Sequence, residues 1–145
     1  METLLENDAF LLYAVCSAIV ALQLLALALW TGTVRVMRKK WVNPEDARFN
    51  KGENVEVDHP DVARVKRAHT NLLENAVPFF VVGLLYVLTG ADEAGAQAYF
   101  FTFTGARLLH TVFYLGGLQP FRTLSFGVGV LAPIGMGVQV IGAVT

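Results

Sequence analysis

The sequence has few charged residues and only one cysteine. Charged side chains make up 16% of the 145 residues, whereas about 25% is usual in soluble domains. A formal net charge of -1 gives no basic surface of the kind that binds nucleic acid, so no nucleic-acid partner is expected. The single cysteine, Cys16, excludes an internal disulfide and a multi-cysteine metal site. No metal site is predicted.

Hydrophobic residues are abundant instead, at 54% of the chain, and the mean hydropathy is +0.51. Residues 9–34 carry no charged side chain. At about 1.5 Å per residue this run is roughly 39 Å long, which exceeds the roughly 30 Å hydrocarbon core of a bilayer. The preceding segment, METLLEND, is acidic and lacks the basic region of a signal peptide. We therefore expect a retained membrane-spanning helix.

Three further apolar runs cover residues 75–90, 94–118 and 123–145. The second run is short for a membrane span, and the amphipathic segment DVARVKRAHTNLLENA extends it backwards as a helix. The sequence thus predicts an all-α, integral membrane four-helix bundle that forms a single domain over residues 1–145. The predicted helices cover about 9–37, 61–90, 94–117 and 121–144, and a polar loop covers about 38–60.

Basic residues cluster after the first predicted helix, at the start of the second and before the fourth. The amino terminus and the turn GADEAG are acidic. By the positive-inside rule, the basic loops face the cytoplasm and both termini lie on the non-cytoplasmic side. A bacterial inner membrane and the endoplasmic reticulum both suit this pattern, and membrane lipids are expected neighbours.

The third predicted helix contains Arg107, His110 and Tyr114 at spacings that place them on one face. A lipid-facing arginine in the middle of a span would cost about 2.5–3.5 kcal/mol or more. Arg107 is therefore expected to face the bundle interior, and Glu74 is its expected partner. Such a pair could be purely structural, His110 could be an ordinary core histidine, and Tyr114 could be an anchor at the membrane interface.

Other polar residues are predicted to end at a similar depth, near the cytoplasmic side. They are Arg67, Asn71, Glu74, His110, Tyr114, Arg122 and Thr123. Such a set suits a small zwitterion with an excess of carboxylates, and glutathione fits that description. Arg122, at a helix start, would combine its charge with the helix dipole to lower the pKa of a thiol.

Several stretches resemble the MAPEG superfamily, the membrane-associated proteins of eicosanoid and glutathione metabolism. They are TGTVRVMRKKWVNPEDA (31–47), HPDVARVKRAHTNLLENAVPFF (59–80) and GARLLHTVFYLGGLQPFR (105–122). Within the superfamily, they are most similar to the microsomal prostaglandin E synthases and their bacterial relatives. The resemblance implies a homotrimer that binds glutathione between neighbouring subunits and acts on a lipophilic small-molecule substrate.

The resemblance also implies roles for individual residues. The implied glutathione-binding residues are Arg35, Asn71, Glu74, His110, Tyr114 and Arg122. Arg122 matches an arginine that stabilises the thiolate, Thr123 matches a serine proposed to act at the thiol, and Asp46 matches an aspartate proposed for proton transfer. Two positions depart from the prostaglandin E synthase pattern, since Thr70 replaces an arginine and Phe126 replaces a tyrosine.

Three functions follow as hypotheses. The first is a glutathione-dependent membrane enzyme, of glutathione transferase or peroxidase type, that acts on lipophilic electrophiles or hydroperoxides. The second is an endoperoxide isomerase of the prostaglandin E synthase type, which Thr70 and Phe126 disfavour. The third is a non-enzymatic lipid-binding scaffold, which would be expected to lack the glutathione ligands that this sequence retains.

Overall fold

The computed structural model describes residues 4–145, and four long helices dominate it. A short 3-10 turn, Leu4–Glu6, precedes the first of them. The elements that follow are α1 (Asp8–Arg38), β1 (Lys40–Trp41), α2 (Pro44–Phe49), β2 (Glu53–Asn54), α3 (Pro60–Leu88), α4 (Glu93–Gly116) and α5 (Phe121–Val144). The two short strands are parallel, with Lys40 opposite Glu53.

Local sequence signals set where the long helices begin and end. The Asn7 side chain accepts a hydrogen bond from the Phe10 amide at 2.9 Å and caps α1. The Asp92 side chain caps α4 in the same way through the Gly95 amide. Gly117 ends α4 with φ at 69°, a left-handed conformation that glycine adopts without strain.

The four long helices form a bundle in which α3 and α4 meet across the centre. Helix α1 packs on α3 and α4, and α5 packs on the same two helices. Within the described residues, α1 and α5 do not contact each other. The rings of Phe79 and Phe103 stack at 4.0 Å between centroids, and Phe100 meets Phe79 edge-on at 6.0 Å. This aromatic cluster joins α3 to α4.

A buried amide side chain ties α1 to α4. The Gln23 Nε2 donates to the Arg107 carbonyl oxygen at 3.0 Å and to the Thr111 Oγ1 at 2.7 Å. Gln23 is buried, and in an apolar environment each of these hydrogen bonds is costly to break.

Among residues 4–145, three helices are long and apolar enough to cross a membrane, namely α1, α3 and α5. Large apolar side chains such as Leu22, Leu25 and Leu29 are exposed along α1, as expected of a surface that contacts lipid or another subunit. The prediction of an all-α membrane bundle is confirmed. Helix α4 falls outside that set, since it includes Arg107 and His110. The number of crossings and their direction stay predictions.

The expected pairing of Arg107 with Glu74 is wrong. Arg107 is fully buried, and its Nη2 donates to the Phe126 carbonyl oxygen of α5 at 2.8 Å. Its guanidinium carbon lies 5.5 Å from the Phe103 ring centroid and 5.3 Å from that of Phe126. Glu74 is exposed on α3, where its carboxylate avoids the cost of desolvation. A carbonyl and two aromatic faces thus take the place of a carboxylate.

Gly129 on α5 makes the space for this arginine. A Cβ atom at position 129 would lie 2.6 Å from the Arg107 Nε and 2.8 Å from its Cζ. Contacts this short cannot be tolerated, so the guanidinium would have to move and lose its hydrogen bond to Phe126. Gly127, two residues earlier, has no heavy atom within 4 Å of such a Cβ.

We expect Gly129→Ala to destabilise the protein by about 1–3 kcal/mol, the usual cost of overpacking a core. The buried Cys16 provides the measurement, since a thiol-reactive fluorescent dye reports thermal unfolding when this thiol becomes accessible. Gly127→Ala is the matched control and should melt at or slightly above the wild-type temperature. Equal melting temperatures for both variants would contradict this role of Gly129.

Candidate functional site

Two neighbouring cavities lie at the end of the bundle where α4 ends and α5 begins. The first, here named the Arg122 cavity, has a volume of about 210 Å³ and is lined by Asn71, His110, Tyr114, Arg122, Thr123 and Phe126. The second, here named the α3 cavity, has a volume of about 500 Å³ and is lined by Asp58, Ala63, Lys66, Arg67, Thr70, Asn71, Glu74 and Tyr114. They share Asn71 and Tyr114, so a ligand of peptide size could occupy both.

Arg122 lies in the first turn of α5, where the helix dipole adds to its positive charge. Its guanidinium carbon lies 4.8 Å from the centroid of the Tyr114 ring. No carboxylate of residues 4–145 lies within ion-pair distance of it. The site therefore offers an uncompensated cation at a helix amino terminus, which favours a bound anion.

Aromatic rings hold the two residues that α4 contributes to the Arg122 cavity. His110 is buried, and its ring lies 5.5 Å from the Tyr114 ring and 5.9 Å from the Phe126 ring between centroids. Phe126 is also the residue whose carbonyl accepts from Arg107. The Arg107 contact thus positions one wall of the cavity.

Two polar side chains of the Arg122 cavity differ in their partners. The Asn71 Oδ1 is buried and accepts no hydrogen bond from the described residues, so it is available to a donor on a ligand. The Thr123 Oγ1 donates to the Gln119 Oε1 at 3.0 Å, and Thr123 is exposed. Its hydroxyl is therefore accessible beside Arg122.

Three of the site residues expected from the sequence do not line the Arg122 cavity. Glu74 lines only the α3 cavity. Arg35 on α1 donates from its Nη2 to Asp58 at 3.2 Å. Asp46 lies in α2, where it accepts from the Asn43 Nδ2 at 3.0 Å, and it lines neither cavity. A single chain therefore brings Asn71, His110, Tyr114, Arg122 and Thr123 together, but not Arg35 or Asp46.

Comparison with known sequences identifies the family of the chain. The MAPEG family profile matches residues 13–142. The chain belongs to the MAPEG family. This confirms the resemblance predicted from the sequence motifs.

Individual MAPEG relatives cover most of the chain. Microsomal glutathione S-transferase 1 of Homo sapiens is 40% identical over 134 residues, which cover 89% of this chain and 86% of the relative. The protein of the same name from Sus scrofa is 42% identical over 134 residues, which again cover 89% of this chain and 86% of the relative. Prostaglandin E synthase of Equus caballus is 37% identical over 139 residues, which cover 95% of this chain and 91% of the relative.

Sequence reasoning missed Asp58, which lines the α3 cavity of this MAPEG chain. Its carboxylate accepts from the Lys66 Nζ at 2.8 Å and from Arg35 at 3.2 Å, and only 12% of its side chain is exposed. Burial alone would raise the pKa of Asp58, but the hydrogen bond from Lys66 and the charges of Arg35 and Lys66 outweigh it and hold the pKa below 3.8. Because Arg35 lies far away in the sequence, spacing gave no signal of this contact.

We expect Asp58→Asn to lower the free energy of unfolding at neutral pH by about 1 kcal/mol or less, as is typical of partly exposed ion pairs. Since the folded protein lowers the pKa of Asp58, the ionised carboxylate stabilises the fold above pH 3.8. That stabilisation is lost as the pH falls through the lower folded-state value.

Melting temperatures of wild type and Asp58→Asn measured from neutral to acidic pH should therefore converge at the acidic end. Glu56→Gln serves as the control, because Glu56 is exposed and makes no ion pair with the described residues. A constant difference between wild type and Asp58→Asn at every pH would show that ionisation of Asp58 does not contribute.

Proposed function

We propose that the protein is a glutathione-dependent membrane enzyme of the glutathione transferase or peroxidase type, acting on lipophilic electrophiles or hydroperoxides. The observation that carries this proposal is the uncompensated Arg122 at the start of α5, in a cavity it shares with Asn71, His110 and Tyr114. Relatives named microsomal glutathione S-transferase 1 cover 89% of the chain and support the same function.

In this proposal Arg122 stabilises the glutathione thiolate. A thiolate is the reactive form of a thiol, and a neighbouring cation and a helix amino terminus both lower the thiol pKa. The Tyr114 ring fixes the guanidinium from one side, which restricts the directions from which it can bind an anion. The Thr123 hydroxyl, next to Arg122 on α5, would donate a second hydrogen bond to the sulfur by turning its single proton away from Gln119.

The α3 cavity would hold the remainder of the tripeptide. Arg67 suits one carboxylate of glutathione, Lys66 suits the other while it also holds Asp58, and Glu74 suits the ammonium group. The unpaired Asn71 Oδ1 would accept from a peptide N–H. His110 and Tyr114 would complete the wall between the thiol and the peptide.

The chemical step then follows from the stabilised sulfur. In a transfer reaction the sulfur forms a bond to the electrophilic carbon of the lipophilic substrate, and the leaving group departs with the bonding electron pair. With a hydroperoxide, the sulfur attacks the terminal oxygen, the O–O bond breaks and the alkoxide takes up a proton. The thiol of a second glutathione then attacks the sulfur of the resulting sulfenic acid, the S–O bond breaks, the oxygen leaves as water and the disulfide forms. Asp46 is the proposed group for proton transfer, supplied by another subunit.

A homotrimer with glutathione between subunits would explain why Arg35 and Asp46 lie outside the Arg122 cavity of their own chain. A neighbouring copy would bring these groups to the site. The exposed apolar side chains of α1 and α5 supply surface for such contacts and for membrane lipids. We also propose that both termini lie on the non-cytoplasmic side of a bacterial inner membrane or of the endoplasmic reticulum.

The prostaglandin E synthase type of isomerase is less well supported by the site. Phe126 contributes a ring without a hydroxyl to the Arg122 cavity, and Thr70 contributes no charge to the α3 cavity. A non-enzymatic scaffold would have no use for an uncompensated Arg122 beside an unpaired amide. Product analysis with an endoperoxide and with a general electrophile separates the first two functions.

We expect Arg122→Leu to abolish the thiolate signal of bound glutathione in ultraviolet difference absorbance and to lower kcat/KM by about 100-fold, as for loss of a group that stabilises a developing anion. Because the thiol pKa would then be no longer lowered, the remaining activity should rise towards alkaline pH. Arg122→Lys keeps the charge and should retain part of the signal.

The control for this experiment is Arg48→Gln, since Arg48 is exposed on α2 and lines neither cavity. Unchanged turnover in Arg122→Leu would remove Arg122 from the mechanism. Loss of the thiolate signal in Arg48→Gln would instead point to a general effect of cation removal.

A shared site predicts complementation between subunits. We expect the purified protein to have three times the chain mass of 15.8 kDa, measured by native mass spectrometry. Chains carrying Arg35→Leu and chains carrying Arg122→Leu should each be nearly inactive with a chromogenic aryl halide. Co-expression should restore activity, because some interfaces then combine an intact Arg35 with an intact Arg122.

The control is a trimer in which every chain carries both Arg35→Leu and Arg122→Leu. If mixed trimers are as inactive as this double variant, then each chain provides Arg35 and Arg122 to the same site and the shared arrangement is wrong.

A further inference from the structure

A third large cavity lies between α1, α3 and α4, and the proposed function makes no use of it. Here named the Trp30 cavity, it has a volume of about 480 Å³ and is lined by Trp30, Val34, Met37, Arg38, Asp61, Arg64, Val65 and Leu115. It shares no lining residue with the Arg122 cavity or the α3 cavity. Its volume is within the range of about 300–1,000 Å³ that is typical of small-ligand sites.

The lining changes from apolar to charged along α1. Trp30 and Val34 precede Arg38, the last residue of the helix, by about two turns and one turn. Eight residues of α-helix separate Trp30 from Arg38 by about 12 Å. Because α1 is long and apolar enough to cross a membrane, we expect the apolar end of the cavity to lie deeper in the bilayer than the charged end.

The charged end carries a surplus positive charge. Arg38 forms an ion pair with Asp61, so these two groups compensate each other. Arg64 forms no ion pair with any of residues 4–145. Its Nη1 is 3.5 Å from the Leu115 carbonyl oxygen, which is a weak contact.

Arg64 also lines a second cavity, which contains Arg122. A smaller cavity of about 210 Å³ is lined by Arg64, Arg67, Tyr114, Gly117 and Arg122. Arg64 is the one residue that lines both this space and the Trp30 cavity. A charged group bound at Arg64 would therefore lie close to the Arg122 cavity without entering it.

We propose that the Trp30 cavity binds an anionic amphiphile, with its head at Arg64 and its apolar chain along Trp30 and Val34. The direction of the charge gradient matches the orientation of such a molecule in a bilayer leaflet. The uncompensated arginine selects an anion over a neutral head, and the apolar wall selects a chain over a small ion. The Trp30 cavity shares no lining residue with the two cavities proposed for glutathione, and binding there does not depend on thiol chemistry.

Trp30 provides a direct probe of this site. The chain has two tryptophans, and Trp41→Phe leaves Trp30 as the only one. This variant is placed in nanodiscs of zwitterionic phosphatidylcholine and titrated with brominated stearic acid, at a pH where the acid is ionised. Brominated methyl stearate, which has the same chain and no charge, is titrated in parallel. Unlabelled stearate then tests whether quenching is reversed by competition.

We expect the acid to quench Trp30 saturably, with competition by stearate, and the ester to quench only in proportion to its concentration. Arg64→Gln should raise the half-saturating concentration of the acid about tenfold, the effect of losing one charge-assisted hydrogen bond. Arg48→Gln, the same change at an exposed arginine outside the cavity, should leave it unchanged. Equal quenching by acid and ester, or no effect of Arg64→Gln, would overturn the proposal.

Two further measurements complete the test. If Arg64→Gln does not fold, the protein with native Arg64 is titrated at increasing salt concentration. We then expect salt to weaken binding of the acid but not of the ester, because charge holds the head group. Nanodiscs with brominated phosphatidylglycerol or brominated phosphatidylcholine identify the source of the anion. Stronger quenching by the phosphatidylglycerol assigns the site to a bilayer lipid, and quenching by the free acid alone assigns it to a single-chain carboxylate. The proposal is overturned if neither anion quenches Trp30 saturably, which would be the result if a second copy of the chain covered Trp30.

Discussion

The burial of Arg107 against α5 is the contact on which the candidate site depends. A guanidinium without a carboxylate partner has to obtain its stabilisation from a carbonyl oxygen and ring faces, and α5 provides both through Phe126. Gly129 allows the close approach. This contact fixes α5 against α4, and through α5 it fixes the distance between Arg122 and the rings of Tyr114 and His110.

Some arginines are held by other groups of the protein, and others line a cavity without an ion-pair partner. Arg107 is fully buried and bound within the protein, and Arg35 and Arg38 are each held by an aspartate. Arg64 and Arg122 have no such partner among the described residues, and each lines a cavity. Arg67 likewise makes no ion pair with the described residues and lines the α3 cavity. Cations that line a cavity without an ion-pair partner can bind a ligand, which is why these residues enter the functional proposals.

The sequence contained enough information for the bundle and for most of the site. Uninterrupted apolar runs predicted the helices, and the spacing of His110 and Tyr114 placed them on one face, next to Arg122 in the structure. The acceptor of Arg107 could not be predicted, because a buried arginine suggests a carboxylate partner such as Glu74, whereas a backbone carbonyl has no sequence signature. Asp58 was missed because its contact with Arg35 depends on how the loop folds back on α1.

The two hydrogen bonds of Gln23 determine where the bundle can open. They join α1 to the backbone and side chain of α4 in an apolar environment, so parting these helices would leave the buried Gln23 amide without its two acceptors. No comparable connection links α1 to α5, which do not touch within the chain. A bilayer-soluble molecule that approached the bundle between α1 and α5 would therefore break no polar contact between these two helices.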